Sequence, residues 1–225
     1  MPFDSRLALD TILPLAEAAY SYSETGVPSG WKLDAELGPD KFGFFASRTT
    51  GSSIVSFRGT ESMDEWLEDF EALPVPNAFG GGLAHKGFQD VYAKIRNSVI
   101  AGLKTVSGPL WITGHSLGAA LAVLCAGDLA RSGWRPLVYT FAGPRVGFPN
   151  FSDWYDRFVP DCYRIVNVRD LVPHLPLTEQ GFKHVGRCVT IDGGYTEDLH
   201  VAHSLSLSYG PGLEKLIEAE SNKAA

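Results

Sequence analysis

The stretch LWITGHSLGAALAVL, residues 110–124, changes its pattern in the middle. It opens with apolar and β-branched residues, which favour a strand, and it closes with an Ala/Leu-rich run whose apolar residues lie on one helical face. Between the two halves stands Ser116, flanked by Gly114 and Gly118. Glycine permits a turn that is too tight for side chains. We therefore predict a strand, a sharp turn and a helix, with the Ser116 hydroxyl held out at the tip of the turn.

A serine at such a strand–turn–helix junction is typical of a nucleophile elbow. The pentapeptide pattern alone is weak, because the chain contains 24 glycines and short glycine patterns arise by chance. The alternative is a glycine-rich turn with an incidental serine. A catalytic interpretation therefore also requires a base, an acid and donors for an oxyanion elsewhere in the chain.

The composition is that of an ordinary globular protein, with 44% hydrophobic and 20% charged residues among 225. This length predicts one domain spanning residues 1–225. The net charge of −7 and the lack of a basic stripe argue against a nucleic-acid partner. No clustered metal-ligand motif is present, so we expect no metal and no cofactor.

The first twenty residues do not read as a secretory signal, because they lack a basic start and the apolar run is broken by Asp10, Pro14 and Glu17. No window is long and apolar enough to predict a transmembrane segment. We expect a cytoplasmic or otherwise signal-less soluble protein, and export by another route stays open. An odd cysteine count requires no disulfide, although a Cys162–Cys188 bridge is an open alternative.

Strand-like and helix-like stretches alternate along the chain, which predicts an α/β fold with a mostly parallel central sheet and helices on both faces. The predicted strands are 41–49, 52–60, 110–113, 136–143, 163–168 and 182–191, and the predicted helices are 7–21, 87–106, 117–131, 151–158 and a last one after residue 211.

Asp170 is the best candidate for the acid. In elbow hydrolases the acid follows the serine and precedes the histidine, and sites in α/β sheets lie just past the carboxyl ends of strands. Asp170 follows a predicted strand and precedes a proline-bounded loop, although an Asp that merely caps the loop is the alternative. Three other aspartates lie on the elbow's own helix, before a strand or in a turn: Asp128, Asp161 and Asp192.

Two histidines remain as candidates for the base. Four of the six histidines fit poorly, because they precede the serine, adjoin it, lie very near the acid in sequence or lie within a predicted strand. They are His85, His115, His174 and His184, in that order. His200 and His203 are left, in the stretch DLHVAHSLSLSYG, and their spacing allows only one of them to face the site.

The chain resembles the class 3 lipases, the fungal-type lipase family of the α/β-hydrolase fold. The resemblance is carried by segments that match in order: VSFRGTES (55–62), AHKGFQDVY (84–92), ITGHSLGAA (112–120), TFAGPRVG (140–147), RIVNVRDLVPHLP (164–176) and AHSLSLSY (202–209). Together these segments span most of the chain, so the joint match is far more specific than the pentapeptide.

The resemblance implies a serine carboxylic ester hydrolase with Ser116 as nucleophile, Asp170 as acid and His203 as base. It also implies that the oxyanion is bound by Thr60, in FRGT, and by the backbone N–H of Leu117. Two departures from the family pattern bear on the base: the segment between Asp170 and His203 is short, and His200 is also present.

The segment 62–70 is a candidate lid. Its apolar side chains recur at helical spacing and the opposite face is acidic; the apolar residues are Met63, Trp66, Leu67 and Phe70. In this family the corresponding segment is often mobile over the active site, and the alternative is a fixed helix packed on the core.

The predicted substrate is an acyl-ester lipid, most simply a triacylglycerol, with transient contact to a lipid–water interface. Alternatives with the same catalytic residues are a phospholipase, a feruloyl or aryl esterase and a thioesterase. A catalytically inactive binding protein of the same fold is an alternative of another class.

Overall fold

A seven-stranded sheet runs through the middle of the part of the chain that the computed structural model describes, residues 1–60 and 71–224. Its strand order is β1-β2-β3-β6-β7-β8-β9, while β4 and β5 form a separate two-stranded ribbon. The strands are β1 (Lys32–Glu36), β2 (Gly43–Ser47), β3 (Ser53–Phe57), β4 (Pro74–Pro76), β5 (Leu83–His85), β6 (Leu110–His115), β7 (Leu137–Phe141), β8 (Cys162–Asn167) and β9 (Arg187–Ile191).

Strand direction divides the sheet into two parts. The pairs β1–β2 and β2–β3 are antiparallel, whereas every pair from β3 to β9 is parallel. The carboxyl ends of five strands therefore meet at one edge, where α/β sheets place their sites. Strand β6, which leads to Ser116, lies between β3 and β7 near the centre of this edge.

Helices cover both faces of the sheet. They are α1 (Ser5–Leu7), α2 (Leu13–Ala18), α3 (Tyr22–Thr25), α4 (Lys86–Gly102), α5 (Leu117–Arg131), α6 (Pro149–Phe158), α7 (Leu199–His203) and α8 (Gly210–Ala224). A π-helical turn (Ala8–Ile12) joins α1 to α2, and a second one (Leu205–Tyr209) joins the end of α7 to α8. The long helices α4 and α5 lie on one face, and the two terminal helical segments lie on the other.

Each face has its own hydrophobic core. On one face the buried side chains of β3 and β6, such as Val55 and Ile112, pack with those of α4 and α5. On the other face Phe44 and Tyr139 pack with Leu15 of α2 and with the C-terminal helical segment. Burying one large apolar side chain contributes about 1.5–3 kcal/mol, so both cores stabilise the sheet from which the site projects.

The predicted α/β architecture is confirmed, and the differences lie at its edges. The chain adds β1, whose sequence KLDAE is largely polar and exposed, so that no apolar pattern marked it. The ribbon β4–β5 was also not predicted, because its strands are only three residues long. The predicted strand 182–191 was too long, since regular pairing begins at Arg187, after a turn at Gly186 with a φ of 68°.

Three further sequence predictions concern the lid, the cysteines and a membrane segment. The candidate lid, 62–70 with Met63, Trp66, Leu67 and Phe70, lies outside the described residues. In the described part, the cysteines are free, with Cys162 buried and Cys188 exposed. Across those same residues, no helix combines the length and the apolar character that a membrane crossing demands.

The glycines of the elbow are required by close backbone contacts. A Cβ on Gly114 would lie 2.2 Å from the carbonyl oxygen of Gly118, and a Cβ on Gly118 would lie 2.2 Å from that of Phe57. Backbone atoms cannot move aside as a flexible side chain can, so any larger residue would push β6, α5 and β3 apart.

We predict that Gly118→Ala lowers the free energy of unfolding by about 3 kcal/mol or more, because the added methyl group meets backbone rather than side chain. Gly127→Ala is the matched control on the same helix. Its Cβ would lie 3.2 Å from the ring of Trp154, which can shift, and we expect a change within about 1 kcal/mol. Urea denaturation of both variants measures the difference, and equal destabilisation would contradict the close-contact explanation.

Candidate active site

Ser116 occupies the turn between strand β6 and helix α5. Its backbone has φ 58° and ψ −128°, a conformation that is strained for any residue other than glycine. The strain is held in place from both sides, because the Ser116 N–H donates to the carbonyl of Phe141 (3.1 Å) and the Ser116 carbonyl accepts from Ala119 (3.0 Å). The residue as a whole is 4% exposed.

Asp170 and His203 form a buried pair. The two carboxylate oxygens of Asp170 lie 3.0 and 2.8 Å from Nδ1 of His203. Because a carboxylate accepts hydrogen bonds, Nδ1 is the donor of this pair, and in the neutral tautomer that donates from Nδ1 the other nitrogen, Nε2, is an acceptor. The pair is the acid and base arrangement of a serine-hydrolase triad.

Two further donors converge on the Asp170 carboxylate. The Tyr209 hydroxyl donates to one oxygen (2.6 Å) and the Val172 N–H donates to the other (3.0 Å). Burial, together with the charge of Asp170, raises the pKa of Tyr209 well above its ordinary value, so Tyr209 remains a donor. These hydrogen bonds offset the desolvation of a carboxylate that is only 2% exposed.

The Nε2 atom of His203 is buried and has no hydrogen-bond partner among the described residues. An unpaired buried polar atom is rare and calls for an explanation. The His203 ring lies 4.5 Å, centroid to centroid, from that of His115, the residue before Ser116. The His203 ring therefore lies beside the elbow.

Helix α7, which carries His203, is only five residues long and is held from outside. The Asn167 side chain, at the end of β8, donates to the Ala202 carbonyl (2.8 Å) and accepts from Gly193 (3.1 Å). Asp198 caps the helix by accepting from the N–H groups of His200 and Val201. His200 itself is exposed on the first turn of the helix, so the structure brings His203, and not His200, to Asp170.

Two of the aspartates that the sequence disfavours as the acid form hydrogen bonds away from His203. Asp128 pairs with the guanidinium of Arg96 through both oxygens (2.7 and 3.1 Å) and accepts from Tyr92. Asp192 accepts from the N–H of Gly194 within its turn. In the described ranges, 1–60 and 71–224, no cluster of three or more His, Cys, Asp or Glu side chains could hold a metal ion.

The segment that contains Thr60 lies against the elbow. A Cβ on Gly59 would lie 3.0 Å from Cβ of Ser116 and 2.9 Å from the carbonyl oxygen of His115. Leu117 is the first residue of helix α5, where backbone N–H groups lack intrahelical partners and the helix dipole is positive. Gly59, the neighbour of Thr60, thus lies against Ser116 on one side, and Leu117 begins the helix on the other.

Sequence reasoning missed Tyr20 and Asn167. Asn167 left a signal in the sequence, since it is a polar residue that directly follows the apolar pair Ile165–Val166, and the structure buries it fully. Tyr20 left none, because its hydroxyl meets the site only through residues 39 and 95 positions away in the chain.

Known proteins resemble this chain in sequence and in fold. The sequence model of the family described as Lipase (class 3) matches residues 54–180. A lipase of Rhizomucor miehei is 36% identical over 161 residues, which cover 67% of this chain and 44% of that protein. The secreted mono- and diacylglycerol lipase A of Penicillium cyclopium is 33% identical over 169 residues, which cover 72% and 55%. The chain therefore spans about half the length of these relatives.

One similar solved structure is described as a triacylglycerol lipase whose catalytic centre is a serine protease triad. It is 31% identical, has a TM-score of 0.73 and is matched over 82% of this chain and 79% of its own. The α/β-hydrolase fold predicted from the sequence is confirmed by this similarity and by the mostly parallel sheet.

We predict that the protein loses stability as the pH falls below about 6.5, because three histidines are held neutral in the folded state. Burial is the main cause in each case: it lowers the pKa of His85 to about 4, that of His184 to about 3 and that of His115 well below its ordinary value. The unfolded chain therefore binds up to three more protons between about pH 6.5 and pH 4, and the free energy of unfolding decreases as the pH is lowered.

Urea denaturation at pH 7.5, 6 and 5 measures this decrease. His184→Gln is the matched variant, since an amide can keep donating to the Pro173 carbonyl as the ring Nε2–H does (2.7 Å). The variant should show a shallower dependence on pH than the wild type. Equal stability of the wild type at pH 7.5 and pH 5 would contradict the prediction.

Proposed function

Because the chain belongs to the class 3 lipase family, we propose that it is a serine carboxylic ester hydrolase that cleaves acylglycerols or related fatty-acyl esters. The observation that carries the proposal is the buried Nε2 of His203, which is left unpaired among the described residues while Nδ1 is bonded to Asp170. Most buried side-chain nitrogens in proteins are hydrogen-bonded, and an imidazole that accepts a proton from a substrate-activated hydroxyl needs one nitrogen left available.

The first half of the reaction acylates Ser116. His203 Nε2 takes the proton of the Ser116 hydroxyl as the oxygen attacks the ester carbonyl, and a tetrahedral oxyanion forms. Asp170 holds the imidazole in the required tautomer and stabilises the imidazolium. The imidazolium then gives its proton to the departing alcohol, and the carbonyl re-forms as an acyl-enzyme.

The second half releases the acid. Water takes the place of the alcohol, gives its proton to His203 and attacks the acyl-enzyme, and collapse of the second oxyanion returns the proton to Ser116. The N–H groups of Thr60 and Leu117 bind both oxyanions in this proposal. One such donor is worth about 3–4 kcal/mol in a comparable serine hydrolase.

The proposed substrate class rests on the similar proteins. The two relatives described above are named as a lipase and as a mono- and diacylglycerol lipase, which favours acylglycerols. That residues 62–70 form a lid, and that the protein contacts a lipid–water interface, stay predictions. A cytoplasmic location also stays a prediction, and the Penicillium relative is named as secreted.

Two experiments test the reaction and the substrate. A fluorophosphonate probe should label the wild-type protein at Ser116 and should fail to label Ser116→Ala. A panel of p-nitrophenyl esters from acetate to palmitate, with an emulsified triglyceride, a phospholipid and an acyl thioester, then separates a lipase from the alternatives on the same machinery.

We predict that Ser116→Ala lowers the turnover number by on the order of a millionfold while the protein remains folded, because the nucleophile is lost. Hydrolysis of p-nitrophenyl butyrate measures it, with circular dichroism as the check of folding. Retention of more than about one per cent of the wild-type rate would place the nucleophile elsewhere, since a lost triad member leaves far less.

We predict that His203→Ala matches the Ser116→Ala defect, whereas His200→Ala, on the exposed side of the same short helix, keeps most of the activity. Asp170→Asn should fold and be slower by about 10⁴-fold, because an amide no longer sets the imidazole tautomer. The same butyrate assay measures all three variants. An essential His200 with a dispensable His203, or a near-wild-type Asp170→Asn, would overturn the assignment.

A further inference from the structure

We propose that Tyr20 is a positioning residue, which holds the oxyanion segment, the elbow and the base-carrying helix in one geometry through its hydroxyl group. This inference rests on the proposed function. Tyr20 lies far from Ser116 in sequence, just after helix α2, yet its hydroxyl bridges the Gly59 N–H (3.0 Å) and His115 Nδ1 (2.8 Å).

The donor and the acceptor of each hydrogen bond between Gly59, Tyr20, His115 and His203 follow from the chemistry of the groups. His115 Nε2 lies 2.8 Å from the carbonyl oxygen of His203, and a carbonyl only accepts, so Nε2 carries the proton. Nδ1 of the neutral ring is then an acceptor, and the Tyr20 hydroxyl donates to it. The Tyr20 oxygen has a lone pair left, with which it accepts from Gly59.

The hydroxyl of Tyr20 is at the inner end of the side chain. Tyr20 as a whole is 38% exposed, but burial raises the pKa of its hydroxyl to about 12. Burial, together with the neighbouring His203, keeps the pKa of His115 well below its ordinary value. Both groups are therefore neutral at physiological pH, and the chain of hydrogen bonds keeps one arrangement while His203 takes up and releases its catalytic proton.

Gly59 shows how closely Tyr20 and the nucleophile approach each other. A Cβ on Gly59 would lie 2.5 Å from the Tyr20 oxygen and 3.0 Å from Cβ of Ser116, so the backbone here lies between the two side chains. Thr60, the proposed oxyanion donor, is the next residue. If the Tyr20 hydroxyl is removed, the Gly59 N–H loses this acceptor, and the segment that carries Thr60 loses one of the hydrogen bonds that hold it.

The same hydroxyl also acts on the base. Through His115 it orients the ring that donates to the backbone carbonyl of His203, while Asp170 holds the His203 side chain. Tyr20 touches none of the proposed reacting atoms. Its effect is on alignment in the transition state, where a displacement of about 1 Å can lower a rate by about 10²-fold.

The test is Tyr20→Phe, which removes one oxygen atom and keeps the ring. We expect kcat per folded protein on p-nitrophenyl butyrate to fall by about 10- to 100-fold while KM changes by less than about twofold, because alignment matters most in the transition state. The affinity for an alkyl trifluoromethyl ketone, which forms a tetrahedral adduct with the serine, should fall by the same factor as kcat.

Tyr139→Phe is the matched control, since Tyr139 is a buried tyrosine of strand β7 whose hydroxyl accepts from the N–H of Asp4 instead. It should leave kcat within about twofold of the wild type, because its hydroxyl bond lies outside the network. The proposal is overturned if Tyr20→Phe keeps a wild-type kcat. It is also overturned if both variants lose activity equally, or if the ketone affinity of Tyr20→Phe is unchanged while kcat falls.

A measurement without substrate separates this inference from the proposed function. Amide hydrogen exchange at Gly59 should accelerate, and the ¹⁵N resonance of His115 Nδ1 should shift, in Tyr20→Phe and not in Tyr139→Phe. If the wild type hydrolyses no ester and is not labelled at Ser116, the proposed function is wrong. If the Gly59 exchange rate and the His115 resonance are unchanged in Tyr20→Phe, the role of Tyr20 in the network is wrong.

Discussion

The arrangement of the site depends on one close contact, between the backbone at Gly118 and the end of strand β3. With no room for a Cβ at Gly118 or Gly114, helix α5 begins directly against Phe57 and Arg58. The first N–H groups of that helix therefore lie beside the Gly59–Thr60 segment, and Ser116 is held between them in a conformation that an isolated turn would not keep. The two cores on either side of the sheet supply the packing that maintains this strain.

The acid–base pair is stabilised by a different principle. Asp170 and His203 are both removed from water, and burial of a carboxylate is unfavourable unless donors surround it. The Tyr209 hydroxyl and the Val172 N–H are those donors. Helix α7 is too short to be stable alone, and hydrogen bonds to Asn167, Asp198 and His115 keep it in place. The side chains that would perform the chemistry are thus few, and the groups that fix their positions come from most of the chain.

The parts of the site that follow from local pattern could be predicted from the sequence. Residues 110–124 contain the strand, the turn and the first half of the helix, and Asp170 follows its strand in the expected order. Reasoning from the residues alone left His200 and His203 open, because the orientation of α7 is set by contacts to Asn167 and His115, distant in sequence. Tyr20 and strand β1 were missed for related reasons: neither has an apolar or motif signal, and both acquire a role only through tertiary contacts.

The hydrogen bonds that join residue 20 to residue 209 bear on how a growing chain acquires its site. Synthesis from the N-terminus would deliver Tyr20 first, then the elbow, then Asp170, while the two side chains that bond to Asp170, His203 and Tyr209, are made 33 and 39 residues later. A nascent chain that ends before His203 would contain Ser116 and Asp170 but not the base. The reactive arrangement would thus be completed only once residue 209 has been made, after the last strand of the sheet that supports it.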